Sequence, residues 1–369
     1  MNDIKMAGPW ITDIEKSIVA EMMKSGWDNY EYVEKFEAAF AAWHDRKYAL
    51  MTPCCTHAIH LLLLTLGVKA GDEVIVPECT WTGSVAPVTY CGATPVFADI
   101  DEETWTLSPD YVEENISNKT KAIIAVNLYG NMPDMSSLTA ISEKYGIPLV
   151  EDAAEALGST YKGIRAGKFG VGGVHSFHRT KTMTTGEGGV LLLDDDALYD
   201  RAKFLRDHGR SSTIPYFTIE ATPKYMPSNL QGAMAWAQFQ RVDELVERKR
   251  YFLHAYKDRL NNVPDLQFNL ENEGTYNGVW ATSLVFGKNH GVTKKEMIDR
   301  LAELDIPARP FFYPLSSLPA YEHYGTGSQE KNPNAYDISN RGITLASHYD
   351  LTDSQIDKIC DSIKVILKT

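Results

Sequence analysis

At 369 residues, 44% of them hydrophobic and 23% charged, the chain is long enough for roughly two domains of about 150 residues and a sizeable core. A net charge of −13 argues against a general binder of nucleic acid or of anionic membrane. The five cysteines (Cys54, Cys55, Cys79, Cys91, Cys360) lack metal-ligand spacing, Met1 opens no apolar leader, and the longest apolar run, Ile59 to Leu66, is broken by His60. A reduced, cytoplasmic protein with no bound metal and no membrane span is expected.

Residues from about 13 to 45 read as two amphipathic helices around a Ser25-Gly26-Trp27 break. Strands and helices then alternate. Strands are predicted at Tyr48–Thr52, Glu73–Pro77, Pro95–Asp99, Lys121–Asn127, Pro148–Asp152, Val174–Phe177 and Gly189–Leu193, with helices at Thr56–Leu66, Gly83–Tyr90 and Met135–Tyr145. Such alternation predicts an α/β fold with a mostly parallel sheet. Ligands of such sheets collect beyond the C-terminal strand ends. Gly232 to His254 reads as one long helix on its apolar positions Ala233, Ala235, Phe239, Val242, Leu245 and Phe252. A smaller α+β region follows, with a strand at Trp280–Phe286 and helices at Lys294–Leu304 and Leu351–Leu367. The boundary is placed inside the long helix, giving a large domain over residues 1–245 and a small C-terminal domain over 246–369.

Lys181 sits just past a predicted strand, between Ser176-Phe177-His178 and the turn Gly186-Glu187-Gly188-Gly189. A lysine in a loop is ordinarily a surface residue. Here a second strand, Val150-Glu151-Asp152, brings a carboxylate to the same sheet edge. A lysine able to form a Schiff base and a carboxylate able to hold a pyridine nitrogen protonated together suit pyridoxal phosphate (PLP) chemistry. Taken alone, Asp152 also reads as a helix N-cap. Glu155, one turn on, reaches either the cofactor's phenolic oxygen or solvent. Cys55-Thr56 opens a helix directly after a strand, where amides and a hydroxyl make an anion site or Thr56 simply caps. Ser176 adds a hydroxyl at a neighbouring strand end, and Trp81 follows a strand where it either stacks on a pyridine ring or fills core. Gly170-Val171-Gly172-Gly173 precedes a strand instead of following one, so it is no dinucleotide loop. His57 and His60 share a helix face without a third ligand and are read as structural.

With these residues in view, the chain resembles the DegT/DnrJ/EryC1/StrS family of PLP-dependent sugar aminotransferases. The resemblance runs over nearly the whole length: Gly71 to Pro77, Gly92 to Phe97, Leu128-Tyr129-Gly130, Glu151-Asp152-Ala153-Ala154-Glu155-Ala156, Ser176 through Gly189, and Asn229-Leu230-Gln231. It implies the type I aminotransferase fold, a large domain with a mostly parallel seven-stranded sheet plus a small α+β domain. It makes Lys181 the Schiff-base lysine and Asp152 its catalytic partner at the ring nitrogen. Trp81 would stack on the ring, Glu155 would lie near its hydroxyl, and Cys55, Thr56 and Ser176 would hold the phosphate. Asn229 would reach that phosphate from the other subunit of a homodimer. Trp27, Arg309, Phe312 and Tyr313 are the expected substrate contacts. The run Arg309 to Pro314, followed by Leu318-Pro319-Ala320-Tyr321, resembles members that use glutamate to aminate C4 of a GDP-linked 4-keto-6-deoxymannose. The cofactor would alternate between PLP and pyridoxamine phosphate as it serves glutamate and a nucleotide-linked keto-sugar. The chain departs from the family at Pro53-Cys54-Cys55, at Met226 and at Ser316. The alternatives are a PLP-dependent sugar dehydratase on the same fold, whose relatives carry histidine in place of the lysine, and a non-catalytic PLP- or sugar-binding regulator.

Overall fold

The computed structural model describes residues 3–368. Helices α1 (Asp13–Ser25) and α2 (Glu31–Trp43) precede the first strand. Thr12 caps α1 reciprocally with Glu15, which explains why that helix starts where it does. The chain then runs β1 (Tyr48–Thr52), α3 (Cys55–Thr65), β2 (Glu73–Pro77), α4 (Thr82–Tyr90), β3 (Thr94–Ala98), α5 (Pro109–Glu114), β4 (Thr120–Val126), α6 (Met135–Tyr145) and β5 (Leu149–Asp152). A short hairpin, β6 (Thr160–Tyr161) and β7 (Ile164–Arg165), separates these from β8 (Gly172–Ser176), β9 (Gly189–Leu193) and α7 (Asp196–Arg206). The seven-stranded sheet has the order β1-β9-β8-β5-β4-β2-β3, and β9 alone runs against its neighbours. Its strands are apolar on both faces, as a sheet covered on both sides requires. Val74, Val76, Ile124 and Val126 face α3, α4 and α7. Ile75, Ile123 and Ala125 alternate with them and face α6.

The predicted single helix from Gly232 to His254 is corrected to two, α8 (Asn229–Phe239) and α9 (Val242–Leu260). The apolar spacing carries across the break, so periodicity alone reads through it. Arg241 leaves helical geometry at φ −118° and ψ 17°. Its guanidinium there donates to the Trp10 carbonyl, to Glu15 (2.8 Å) and to Glu244 (2.8 Å). Helix α9 contributes Val242, Leu245 and Val246 to one core, and Phe252, Ala255, Tyr256 and Leu260 to another.

The second core packs behind a four-stranded antiparallel sheet. The chain adds β10 (Leu266–Phe268), β11 (Thr275–Tyr276), β12 (Ser283–Phe286), α10 (Lys294–Ala302), β13 (Arg309–Pro310), α11 (Ser328–Lys331), α12 (Pro333–Arg341), β14 (Gly342–Thr344) and α13 (Asp353–Leu367). The sheet order is β10-β12-β14-β13, while β11 crosses over to pair with β6. The strand predicted from Trp280 begins only at Ser283. Val279 holds a left-handed φ of 52°, which turns Trp280 out of the strand direction. Ile4 and Met6 pack against this second core. Among the described residues, no helix is long and apolar enough to cross a membrane.

Candidate active site

The connections leaving β1, β2, β5 and β8 emerge at one edge of the seven-stranded sheet, and β9 starts from that edge. Topology therefore brings together Cys55, Trp81, Asp152 and the Ser176–Lys181 loop, far apart as they are in sequence. The lysine loop is held firmly. Lys181 N–H donates to His178 O (2.8 Å), Thr184 Oγ1 donates to Phe177 O (3.0 Å), and Trp280 Nε1 donates to Thr180 O (2.7 Å).

Lys181 Nζ donates to Glu155 Oε1 at 3.0 Å and lies 3.7 Å over the Trp280 ring. Glu155 is buried, and its other oxygen accepts the Tyr129 backbone N–H at 2.9 Å. Burial pushes the Glu155 carboxyl above its ordinary range, against the pull of the nearby ammonium. Tyr129 has a left-handed φ of 54°, a strained geometry for an aromatic residue. Three bonds hold it there: its N–H to Glu155, its carbonyl accepting from Asn269 (2.8 Å), and its hydroxyl accepting the Phe312 N–H (3.1 Å). Its ring lies nearly parallel to those of Phe312 and Trp280, at 5.2 and 6.0 Å.

Asp152 ends β5 and is buried. Its oxygens accept from Ser84 Oγ (2.7 Å) and from Ala154 N–H (3.0 Å), both neutral donors. Burial raises its carboxyl, with the Lys181 charge pulling the other way. Two buried carboxylates thus face one ammonium, and only Glu155 touches it.

At the start of α3, Cys54 makes no side-chain cap; the His57 and Ala58 N–H groups bond Cys54 O at 3.1 and 3.3 Å, so the Cys55 and Thr56 amides are the ones left for another acceptor. Gly189 allows this end to approach the sheet, because a Cβ there would lie 2.4 Å from Cys55 N. The Cys55 thiol is buried and raised by that burial, and the charges of Asp152 and Lys181 both reach it. Thr56 and Trp81 line a common cavity, and the Trp81 ring is tilted toward Phe312 at 5.9 Å. Ser176 ends β8, and its hydroxyl accepts the His178 N–H at 3.3 Å. Arg309 is half-buried, with no ion-pair partner among the described residues, and Tyr313 is exposed above the Lys294 ammonium.

Asn229 and Trp27 lie elsewhere. They line a second cavity of about 330 Å³ whose walls include neither Lys181 nor Trp81. Asn229 is buried within its own chain. Its Oδ1 accepts from Tyr32 N–H (2.9 Å), and its Nδ2 donates to Gly26 O (2.8 Å) and Asn29 Oδ1 (3.1 Å). Among the described residues no cluster of three or more His, Cys, Asp or Glu could hold a metal. His60 Nδ1 bonds the Tyr225 hydroxyl (2.8 Å), and His57 stacks on the same ring.

Three residues at the centre escaped the sequence reading as site residues. Ser84 carried no signal, Trp280 read as part of a strand, and Tyr129 stood in a recognised block whose backbone strain no pattern encodes.

PLP fits this residue set. Its protonated ring nitrogen would supply the cation that Asp152 lacks. The uncapped α3 terminus with Thr56 would take its phosphate, and Lys181 stands ready for its aldehyde.

Comparison with known proteins agrees. The DegT/DnrJ/EryC1/StrS aminotransferase family matches residues 9–364. A GDP-perosamine synthase of Escherichia coli O157:H7 is 37% identical over 365 residues, covering 98% of each chain. A GDP-perosamine synthase of Vibrio cholerae is 36% identical, covering 96% of this chain and 97% of its own. The PLP form of Spr1654 from Streptococcus pneumoniae superposes with a TM-score of 0.93 at 27% identity, over 99% of each chain.

Proposed function

This chain belongs to the DegT/DnrJ/EryC1/StrS aminotransferase family and is a PLP-dependent enzyme; from that premise we propose that it moves the amino group of glutamate onto a nucleotide-linked 4-keto-6-deoxy sugar. The first candidate acceptor is GDP-4-keto-6-deoxymannose, on the strength of the two GDP-perosamine synthases that match end to end. The observation that carries the chemistry is Lys181 beside two buried carboxylates, one of them without a cationic partner.

Bound there, PLP supplies an aldehyde that accepts the amino group and a ring that draws electrons from the substrate carbon. With PLP bound, Lys181 would be the base that takes the proton from the donor Cα and the acid that gives one to the sugar carbon. Glu155 and the Trp280 face hold the lysine amine between them, so that it need not search for its position. Asp152, fixed by Ser84 and Ala154, would keep the ring nitrogen protonated. Trp81 would cover the ring, while Cys55, Thr56 and Ser176 would border the phosphate. On the substrate side, Arg309, without an ion-pair partner among the described residues, suits an anionic group, with Phe312 and Tyr313 beside it.

The active form in this reading is a cytoplasmic homodimer, in which Asn229 and Trp27 of one copy border the site of the other. Support comes from a loop bearing Ile214, Tyr216, Phe217 and Ile219, of which Tyr216 is 100% and Ile219 64% exposed. So much apolar surface on one loop marks an association site.

The decisive experiment incubates the enzyme and PLP with glutamate and a panel of GDP-, UDP- and dTDP-linked keto-sugars. The expected result is an amino-sugar identified by mass, with stoichiometric 2-oxoglutarate. A deoxygenated sugar that retains no amine would defeat the proposal.

A further inference from the structure

The stretch that carries Lys181, residues 177–188, contains no helix or strand, so its shape rests on bonds from elsewhere. Lys181 is flanked by the carbonyls of Thr180 and Thr182, and neither accepts from a main-chain N–H among the described residues. Each is met instead by an aromatic side chain from beyond residue 245. Trp280 Nε1 donates to Thr180 O at 2.7 Å, and the Tyr349 hydroxyl donates to Thr182 O at 2.7 Å. Leu245 O, at 3.4 Å, is the poorer acceptor for the same hydroxyl. Thr182 is buried, so without Tyr349 its carbonyl would have neither a protein donor nor ready access to water.

Tyr349 stands on the segment between β14 and α13, and α9 grips that segment by its carbonyls. The Tyr256 hydroxyl donates to Ala346 O (2.8 Å), Lys249 Nζ to Ser347 O (2.6 Å), and Arg248 Nη2 to Leu351 O (3.0 Å). The Lys249 amine also lies 4.6 Å from the centre of the Tyr349 ring, and Trp10 packs on that ring at 5.3 Å. Lys249 is buried without a carboxylate partner among the described residues, and burial lowers it to about 7. A methionine would fill the same space without the cost of burying an amine. What the lysine adds is a fixed donor beneath the segment that carries Tyr349. Burial also pushes the Tyr349 phenol far above its ordinary value, so the hydroxyl keeps its proton.

We propose that Tyr349 is a positioning residue for Lys181, touching neither cofactor nor substrate. The Thr180 carbonyl belongs to the peptide group entering Lys181, and the Thr182 carbonyl to the one leaving the next residue. With both held, the chain is pinned before and after the lysine, and the direction in which its side chain departs is set. A long side chain magnifies any tilt at its base, so a loosened loop would spread the amine over positions from which it cannot react. The inference rests on the reading that Lys181 is the lysine PLP joins.

The test compares the parental protein with Tyr349→Phe, which keeps the ring and its contacts with Lys249 and Trp10 but loses the hydroxyl. In the cofactor-free protein, amide exchange followed by mass spectrometry should quicken by roughly fivefold in the peptide 177–188 and stay at the parental rate in α9 and the second core. Capture of added PLP, followed by its visible absorption, should slow. In the PLP-loaded enzyme, kcat for the glutamate half-reaction should fall by roughly fivefold at unchanged KM. Unchanged exchange in the loop would overturn the proposal, as would PLP capture and kcat both at parental values. Faster exchange throughout the chain would also overturn it, because Tyr349 would then be a packing residue alone. Should Tyr349→Phe not fold, Lys249→Met decides: it frees Ser347 O, should quicken exchange in the same peptide, and by leaving that exchange unchanged would refute the role. Borohydride reduction of the PLP-loaded parental protein judges the premise separately, by whether cofactor mass appears on Lys181. Loop exchange is read without cofactor, so it judges Tyr349 even where that mass appears elsewhere.

Discussion

Asp152 and Glu155 stand three residues apart, and burial raises both carboxyls, yet their partners differ. Glu155 holds the Lys181 ammonium, whereas Asp152 meets only neutral donors. Asp152→Asn keeps the shape and the Ser84 contact but removes the charge. We expect the variant to bind PLP and to lose roughly a hundredfold in kcat, measured as single-turnover release of 2-oxoglutarate. Lys181→Ala should retain the fold and lose transamination entirely. Trp280 makes the other contact of the lysine amine, through its ring face at 3.7 Å. Cation–π contacts of this kind are worth on the order of 1 kcal/mol. Trp280→Leu should therefore lower kcat of the glutamate half-reaction by roughly fivefold to tenfold, whereas Trp280→Phe, which keeps a ring face, should recover most of it. Equal rates in the two variants would mean that the ring face does nothing for the lysine.

At the scale of elements, the break between α8 and α9 joins the N-terminal segment to the rest of the fold. Glu15 on α1 is fully buried, and it accepts from Gln238 (2.6 Å) at the end of α8 and from Arg241 (2.8 Å) at the start of α9. A continuous helix would carry Arg241 away from this carboxylate. Arg241→Ala leaves a buried charge without its cation, a change that typically costs about 3–5 kcal/mol. Urea denaturation should show a loss near the lower figure, because Thr12 and Gln238 still donate to Glu15. A loss below about 1 kcal/mol would show that the ion pair does not secure the junction.

At the scale of the whole molecule, stability should depend on pH through a buried histidine pair. His44 and His175 lie 4.7 Å apart between rings. Each has one nitrogen bonded to a carbonyl (His44 to Phe40 O, His175 to Ala166 O) and one without a partner. Burial lowers both, His175 to about 4, and the His175 charge depresses His44 further. The folded protein therefore refuses protons that the unfolded chain accepts near its ordinary value of about 6.5. Stability is complete above that value and declines as pH falls from about 6.5 toward 4, by roughly 3 kcal/mol for His175 alone. Thermal melts across this range should show the decline, and His175→Asn should flatten it.

Much of this molecule could be read without coordinates. The seven strands of the main sheet announce themselves as short apolar runs between turn residues, because a strand covered on both faces must be apolar throughout. Lys181, Asp152 and Glu155 were visible because their spacing relative to those strands is a local property of the chain. The tertiary structure alone decided the rest. It separated α8 from α9 by an ion pair to a residue more than two hundred positions away. It turned Trp280 out of its expected strand and onto the lysine amine. It strained Tyr129 to hold Glu155, and it set Ser84 against Asp152. The physical reason is the same in each case: a period in the sequence records which face a residue presents, whereas the partner waiting at that face is chosen only when distant elements pack together.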